Sequence, residues 1–119
     1  MPIHCEILPR PDASPEQLQA LGQAIQRWYH QEVKDEGTTR RIDNQALEDL
    51  LAGQMPQPVS FEALTASTEA QAKKHAVPIM VRGGPAYDRQ AIIRSLRRAI
   101  PSELVEDVLV AGRSWQSGD

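Results

Sequence analysis

Val77, Pro78, Ile79, Met80 and Val81 form a short, mostly apolar run that ends at Arg82, Gly83, Gly84 and Pro85. A helical spacing follows, with Ile92, Ile93, Leu96, Ala99 and Ile100 on one face. Pro101 and Ser102 stop it, and Leu104 to Val110 is apolar again. Strand, helix and strand in succession predict a βαβ unit. Its helix has one oily face that must cover a sheet.

The first half repeats the pattern. Ile3 to Leu8 predicts a strand with Ile3, Cys5 and Ile7 on one face and His4, Glu6 and Leu8 on the other. Pro9, Arg10, Pro11 and Asp12 end it. Ser14 then suits an N-cap, Pro15 the first helical position and Glu16 the positive end of the dipole; Gln17 completes a capping box. Leu18, Leu21, Ile25 and Trp28 mark the buried stripe. Gly22 reads as a close approach to the sheet, and Gly37 as the helix stop.

Asp35 to Arg41 is polar and reads as a surface connection. Asp43 or Asn44 caps a minor helix carrying Ala46, Leu47, Leu50 and Leu51, with Gly53 as its stop. Pro56 and Pro58 bracket a rigid linker. Alternation predicts another strand from Val59 to Leu64. Thr65 to His75 is read as a short helical turn, and Gly112 to Asp119 as a loop holding Trp115. The expected architecture is one α+β domain over residues 1–119. Its two βαβ units form a four-stranded sheet with two long helices on one face, ferredoxin-like or tautomerase-like.

Charge and composition remove several function classes. Thirteen basic against sixteen acidic residues give a net charge of −3, the wrong balance for a nucleic-acid footprint. No apolar run approaches the roughly 18 residues of a membrane helix. The first ten residues lack the pattern of a secretory signal. One cysteine, Cys5, forms no internal disulfide, so a cytoplasmic setting is expected. His4, His30 and His75 have no metal-ligand spacing, and no phosphate-binding glycine motif or nucleophile elbow is present, so neither metal nor cofactor is expected. Arg94, Arg97 and Arg98 read as a solvated helix face.

Pro2 is the sharpest chemical candidate. Removal of Met1 leaves a secondary amine at the start of an apolar strand. Burial and nearby cations can hold such an amine neutral, as a base or nucleophile. Arg10 lies just beyond the same strand and Arg82 ends another; a guanidinium grips a carboxylate by two parallel hydrogen bonds. The other reading of Pro2 is an ordinary second residue before an edge strand.

Pro2-Ile3, Arg10, Ser14-Pro15-Glu16-Gln17-Leu18 and Ile79-Met80-Val81-Arg82 together resemble the tautomerase superfamily. Pro101 to Val105, Val108 to Val110 and Trp115 resemble its final strand and following aromatic. The resemblance implies catalysis by Pro2 on a small carboxylate substrate, which Arg82 and Arg10 hold while Trp115 closes an apolar wall. It also implies a homo-oligomer, with a trimer favoured. The segment from Lys34 to Pro58 departs from the family, carrying a helix where a second strand belongs. The chemistry requires Pro2 and Arg82 to meet, hence antiparallel packing of their strands or an arginine from a neighbouring subunit. The competing class is a non-catalytic ferredoxin-like interaction or oligomerisation protein that binds a protein partner or another copy.

Overall fold

Ile3–Pro9 forms β1, with hydrogen-bonded neighbours on both edges. The structure is a computed structural model that describes residues 3–31, 39–56, 75–82 and 88–116. Along the chain follow α1 (Pro15–Gln31), β2 (Thr39–Ile42), α2 (Asn44–Leu51), β3 (Val77–Arg82) and α3 (Arg89–Ala99). A 3-10 turn at Ser102–Leu104 leads into β4 (Val105–Val110) and the short β5 (Arg113–Ser114).

The five strands order as β2-β3-β1-β4-β5, and every pairing is antiparallel. β1 and β2 both run against β3, so they are parallel to each other with β3 between them. β3 and β4 are likewise parallel with β1 between them. The two strand–helix–strand units therefore interleave. The expected four strands and two long helices become five strands and three helices among the described residues.

Local signals explain the helices. The Ser14 amide donates to Gln17 Oε1 at 2.8 Å, and the Gln17 amide donates to Ser14 Oγ at 3.2 Å. This is a capping box closed in both directions. Asp43 caps α2 by accepting from the Gln45 amide, and Asp88 caps α3 by accepting from the Ala91 amide. Gly53, at φ 77°, follows α2 in a conformation that costs a side chain. Gly22 packs close to α2 rather than to the sheet. A Cβ there would lie 3.0 Å from Leu50 Cβ and 3.1 Å from the Leu51 amide nitrogen.

The helices share one layer. Leu18, Leu21, Ile25 and Trp28 of α1, Leu47 and Leu50 of α2, and Ile92, Ile93 and Leu96 of α3 meet Cys5, Ile7, Val77, Ile79, Val81, Val108 and Val110 of the sheet. Strand alternation sends Leu8 and Leu109 to the other face, where they form a separate buried cluster with Ala76.

Two segments depart from expectation. Thr39–Ile42, read as polar connection, is a strand paired with β3, because its Arg40 is drawn inward. Within the tail read as a loop, Arg113–Ser114 forms the last strand, and Trp115 follows it. The chain enters that strand through Ala111 (φ 56°) and Gly112 (φ 81°), the two positive-φ residues of a tight hairpin. Gly37, Pro58 and the strand expected at Val59 to Leu64 lie outside the described residues, as do all but the last residue of Thr65 to His75.

Leu21 and Leu96 are fully buried on facing helices. Each truncation to Ala is expected to cost about 2–5 kcal/mol. Urea denaturation reads this directly; midpoints unchanged in both variants would contradict the packing.

Candidate functional site

Three arginines hold backbone carbonyls, two of them, Arg40 and Arg89, from buried positions. Arg40 leaves β2 on the helix side. Its Nη1 donates to the Trp28 carbonyl at 3.0 Å, and its guanidinium carbon stands 4.2 Å over the Trp28 ring. That carbonyl belongs to the last turn of α1, where cations complement the helix dipole. Trp28 Nε1 in turn donates to Ser95 Oγ of α3 at 2.8 Å, inside the core. One buried chain of polar contacts thus joins β2, α1 and α3.

Arg89, at the start of α3, donates to the carbonyls of Val110 (3.0 Å), Arg113 (3.4 Å) and Ser114 (2.8 Å). It pins the β4–β5 hairpin. Arg97 donates to the Trp115 carbonyl at 2.7 Å and stacks 5.0 Å above its ring. Arg97 lies on the exposed helix face that the sequence predicts, and from there it also holds the tail. Trp115 itself is 3% exposed and belongs to the main core. Its place is therefore under α3, away from the sheet end that carries Ile3 and Arg82.

The sequence-predicted site residues fall in different places. Pro2 lies outside the described residues. Ile3, which follows it, pairs with Val81, so Arg82 comes one residue past the partner of Ile3. The antiparallel packing that the chemistry demands is present. Arg10 stands beyond the opposite end of β1, seven residues from Ile3 and so about 24 Å away at roughly 3.4 Å per residue. There its Nε lies 3.5 Å from Asp12 Oδ1 in an exposed pair. Arg10 and Arg82 thus cannot grip one small carboxylate within a single chain.

The histidines also stay apart. His30 packs edge-on against Tyr29, and His75 Nδ1 hydrogen-bonds the Pro56 carbonyl. His4 lies half-buried on the face of β1 opposite the described helices. Among the described residues, no group of three His, Cys, Asp or Glu is placed to hold a metal ion. None of the described helices is long and apolar enough to cross a membrane.

On that face the register sets Arg41 beside Met80, and Met80 beside His4. Arg82 follows on the same side two residues along β3. Arg41 and Arg82 are exposed, while Met80 and His4 are half-buried. Glu6 follows one row further along β1, opposite Pro78 and Leu109, and is buried. Arg41 fell in a stretch read as surface connection, so only recognition of β2 would have found this grouping.

The chain matches no family model, no curated protein and no solved structure. Its likeness to the tautomerases therefore rests on the short motifs alone.

Cys5 sits under the helices, and burial, with the charge of Glu6 adding to it, pushes its thiol from 9.0 up to about 12. The folded state thus favours the neutral thiol. The stabilisation is complete below pH 9 and fades as pH rises from 9 towards 12, because the unfolded chain loses that proton first. Folded protein at pH 8 is expected to resist iodoacetamide, whereas denatured protein reacts readily. Fast alkylation of the folded chain would refute this placement.

Proposed function

We propose that the chain is a non-catalytic, ferredoxin-like interaction domain that works through the sheet face opposite its described helices. The interleaved βαβ units are the split arrangement of that fold class. The observation that carries the reading is the division of the sheet. All three described helices cover one face. The other offers half-buried Met80 and His4 beside exposed Arg41 and Arg82. The scatter of Arg10, Arg82 and Trp115 supports binding over catalysis. A cytoplasmic setting belongs to the same reading, since its lone buried thiol suits a reducing compartment.

The second reading is a tautomerase-like enzyme acting on a small carboxylate through Pro2. One observation favours it: antiparallel β1 and β3 bring Arg82 to the end of the sheet at which β1 begins. In that reading Arg82 holds the carboxylate, and Arg10 serves only if a neighbouring subunit supplies it.

An assay of enol carboxylate ketonisation separates the two. It uses wild-type protein with Pro2→Ala and Arg82→Ala variants, after intact mass has shown whether Met1 is removed. The interaction reading expects no turnover above the buffer rate. Turnover that disappears in both variants would replace it with the enzyme; a retained Met1 removes the free amine and the enzyme with it.

Self-association is part of the proposal, since sheet faces and edges left by one chain are commonly covered by another copy. Light scattering at micromolar concentration is expected to give a multiple of the monomer mass, with a trimer the form that the tautomerase resemblance implies. A monomer mass would limit the face to heterologous partners.

A further inference from the structure

We infer that Asp107, Ser114, Arg89 and Arg97 form a guard that closes the β4–β5 edge of the sheet to a strand from a second copy of the chain. The inference stands on the hydrogen bonds of that edge and holds under either functional reading. An edge strand with open amides and carbonyls is a template for another strand. β4 has the composition for it, with Val105, Val108, Leu109 and Val110 among its six residues. β5 shields little of it, because its two residues pair with Leu109 and Val110.

Strand parity shows which groups face that edge. The Ala111 amide donates to the His4 carbonyl, so Leu109 and Asp107 also turn their backbone groups to β1, while Val110 and Val108 turn theirs outward. Val108 is therefore the first outward residue beyond β5. Its carbonyl accepts from the Trp115 amide at 2.7 Å. In a continued ladder its amide would donate to the Trp115 carbonyl. Both of those groups are diverted instead. The Val108 amide donates to Asp107 Oδ1 at 2.7 Å, and the Trp115 carbonyl accepts from Arg97 Nη2 at 2.7 Å.

On β5 the same parity points the backbone of Ser114 and of the following Gln116 away from β4. The Ser114 carbonyl accepts from Arg89 Nη2 at 2.8 Å, and the Gln116 amide donates to Ser114 Oγ at 3.1 Å. That hydroxyl donates in turn to Asp107 Oδ1 at 2.7 Å, so one carboxylate oxygen ties the two strands together. Further along β4, Leu8 meets Asp107 and Pro9 meets Val105, which leaves Glu106 as an extra, exposed residue in a bulge. A bulge and a charge each discourage strand addition. A strand arriving here must displace bonds the chain already makes, several of them strengthened by charge. The strand most readily offered is another β4, since two such edges related by a twofold axis can pair antiparallel with each other. Any oligomer of the wild-type chain then uses a different surface.

The test is light scattering on the full chain at high micromolar concentration, comparing wild type with Asp107→Ala and Asp107→Asn. Asp107→Ala removes the acceptor for both the Val108 amide and the Ser114 hydroxyl, whereas Asp107→Asn keeps an oxygen there. Asp107→Ala is expected to give about twice the wild-type mass, whatever that mass is, and Asp107→Asn the wild-type mass. Hydrogen exchange at the Val108 amide separates edge pairing from aggregation of unfolded chains. It should slow with rising concentration in Asp107→Ala, because a partner strand then accepts from that amide, and stay constant in wild type. If Asp107→Ala fails to fold, Ser114→Ala, which cuts the link from β5 to Asp107, is expected to raise the mass in its place. A folded alanine variant with the wild-type mass would overturn the inference, as would a rise in mass with faster exchange at Val108. So would Asp107→Asn associating as strongly as Asp107→Ala, which would make charge rather than the hydrogen bond the barrier.

Discussion

The central position of β1 governs the rest of the structure. A strand paired on both edges has no free backbone groups to offer, so its side chains decide what it can cover. Cys5 and Ile7 go to the helix side, and Glu6 and Leu8 to the other; all four are buried. β1 thus needs cover on both faces. The paired strands β3 and β4 follow the same alternation, because register locks their parity to that of β1. A bulge at Leu8 and Pro9 shifts the pairing so that Pro9 meets Val105, and the proline, which has no amide to donate, sits where the ladder is already irregular.

Arginine solves a second problem, which is how to hold polar backbone at the margins of a small core. The last turn of α1 leaves carbonyls without helical partners, and Arg40 reaches one of them from β2. Among the described residues the short β5 pairs only with β4, and Arg89 and Arg97 take carbonyls at Arg113, Ser114 and Trp115. The stacks of Arg40 on Trp28 and of Arg97 on Trp115 bury the flat guanidinium faces while their edges stay hydrogen-bonded. Lysine could not substitute in either place, because a point charge cannot stack and donate in a fixed plane.

Local chemistry made the helices legible in the sequence. Ser14 and Gln17 sit three apart before an apolar stripe, and Asp43 precedes another; both signals act within one turn and need no tertiary partner. β1, β3 and β4 were legible for the same reason, since their apolar residues are close together in the chain. β2 was not. Thr39, Arg40, Arg41 and Ile42 have one aliphatic residue in four. The segment becomes a strand because β3 pairs with it and Trp28 receives Arg40, and both partners are remote in sequence. The scatter of the expected site has the same origin. Arg10 and Arg82 each end a strand, but only the sheet order shows that those ends lie at opposite sides of the fold.

Those two failures bear on function in one direction. Arginines read from the sequence as a solvated helix face or a connecting loop are divided by the fold into two groups. Arg40 and Arg89 are drawn inward to carbonyls, and the exposed Arg97 is held by the Trp115 carbonyl and ring. Arg41 is next to Arg40 in the chain, but the period of two in a strand sends it to the other face. The same alternation turns Arg82 away from Val81 and the core. For the arginines of β2 and β3, strand parity rather than local sequence therefore decides which guanidinium groups build the fold and which stay at the surface.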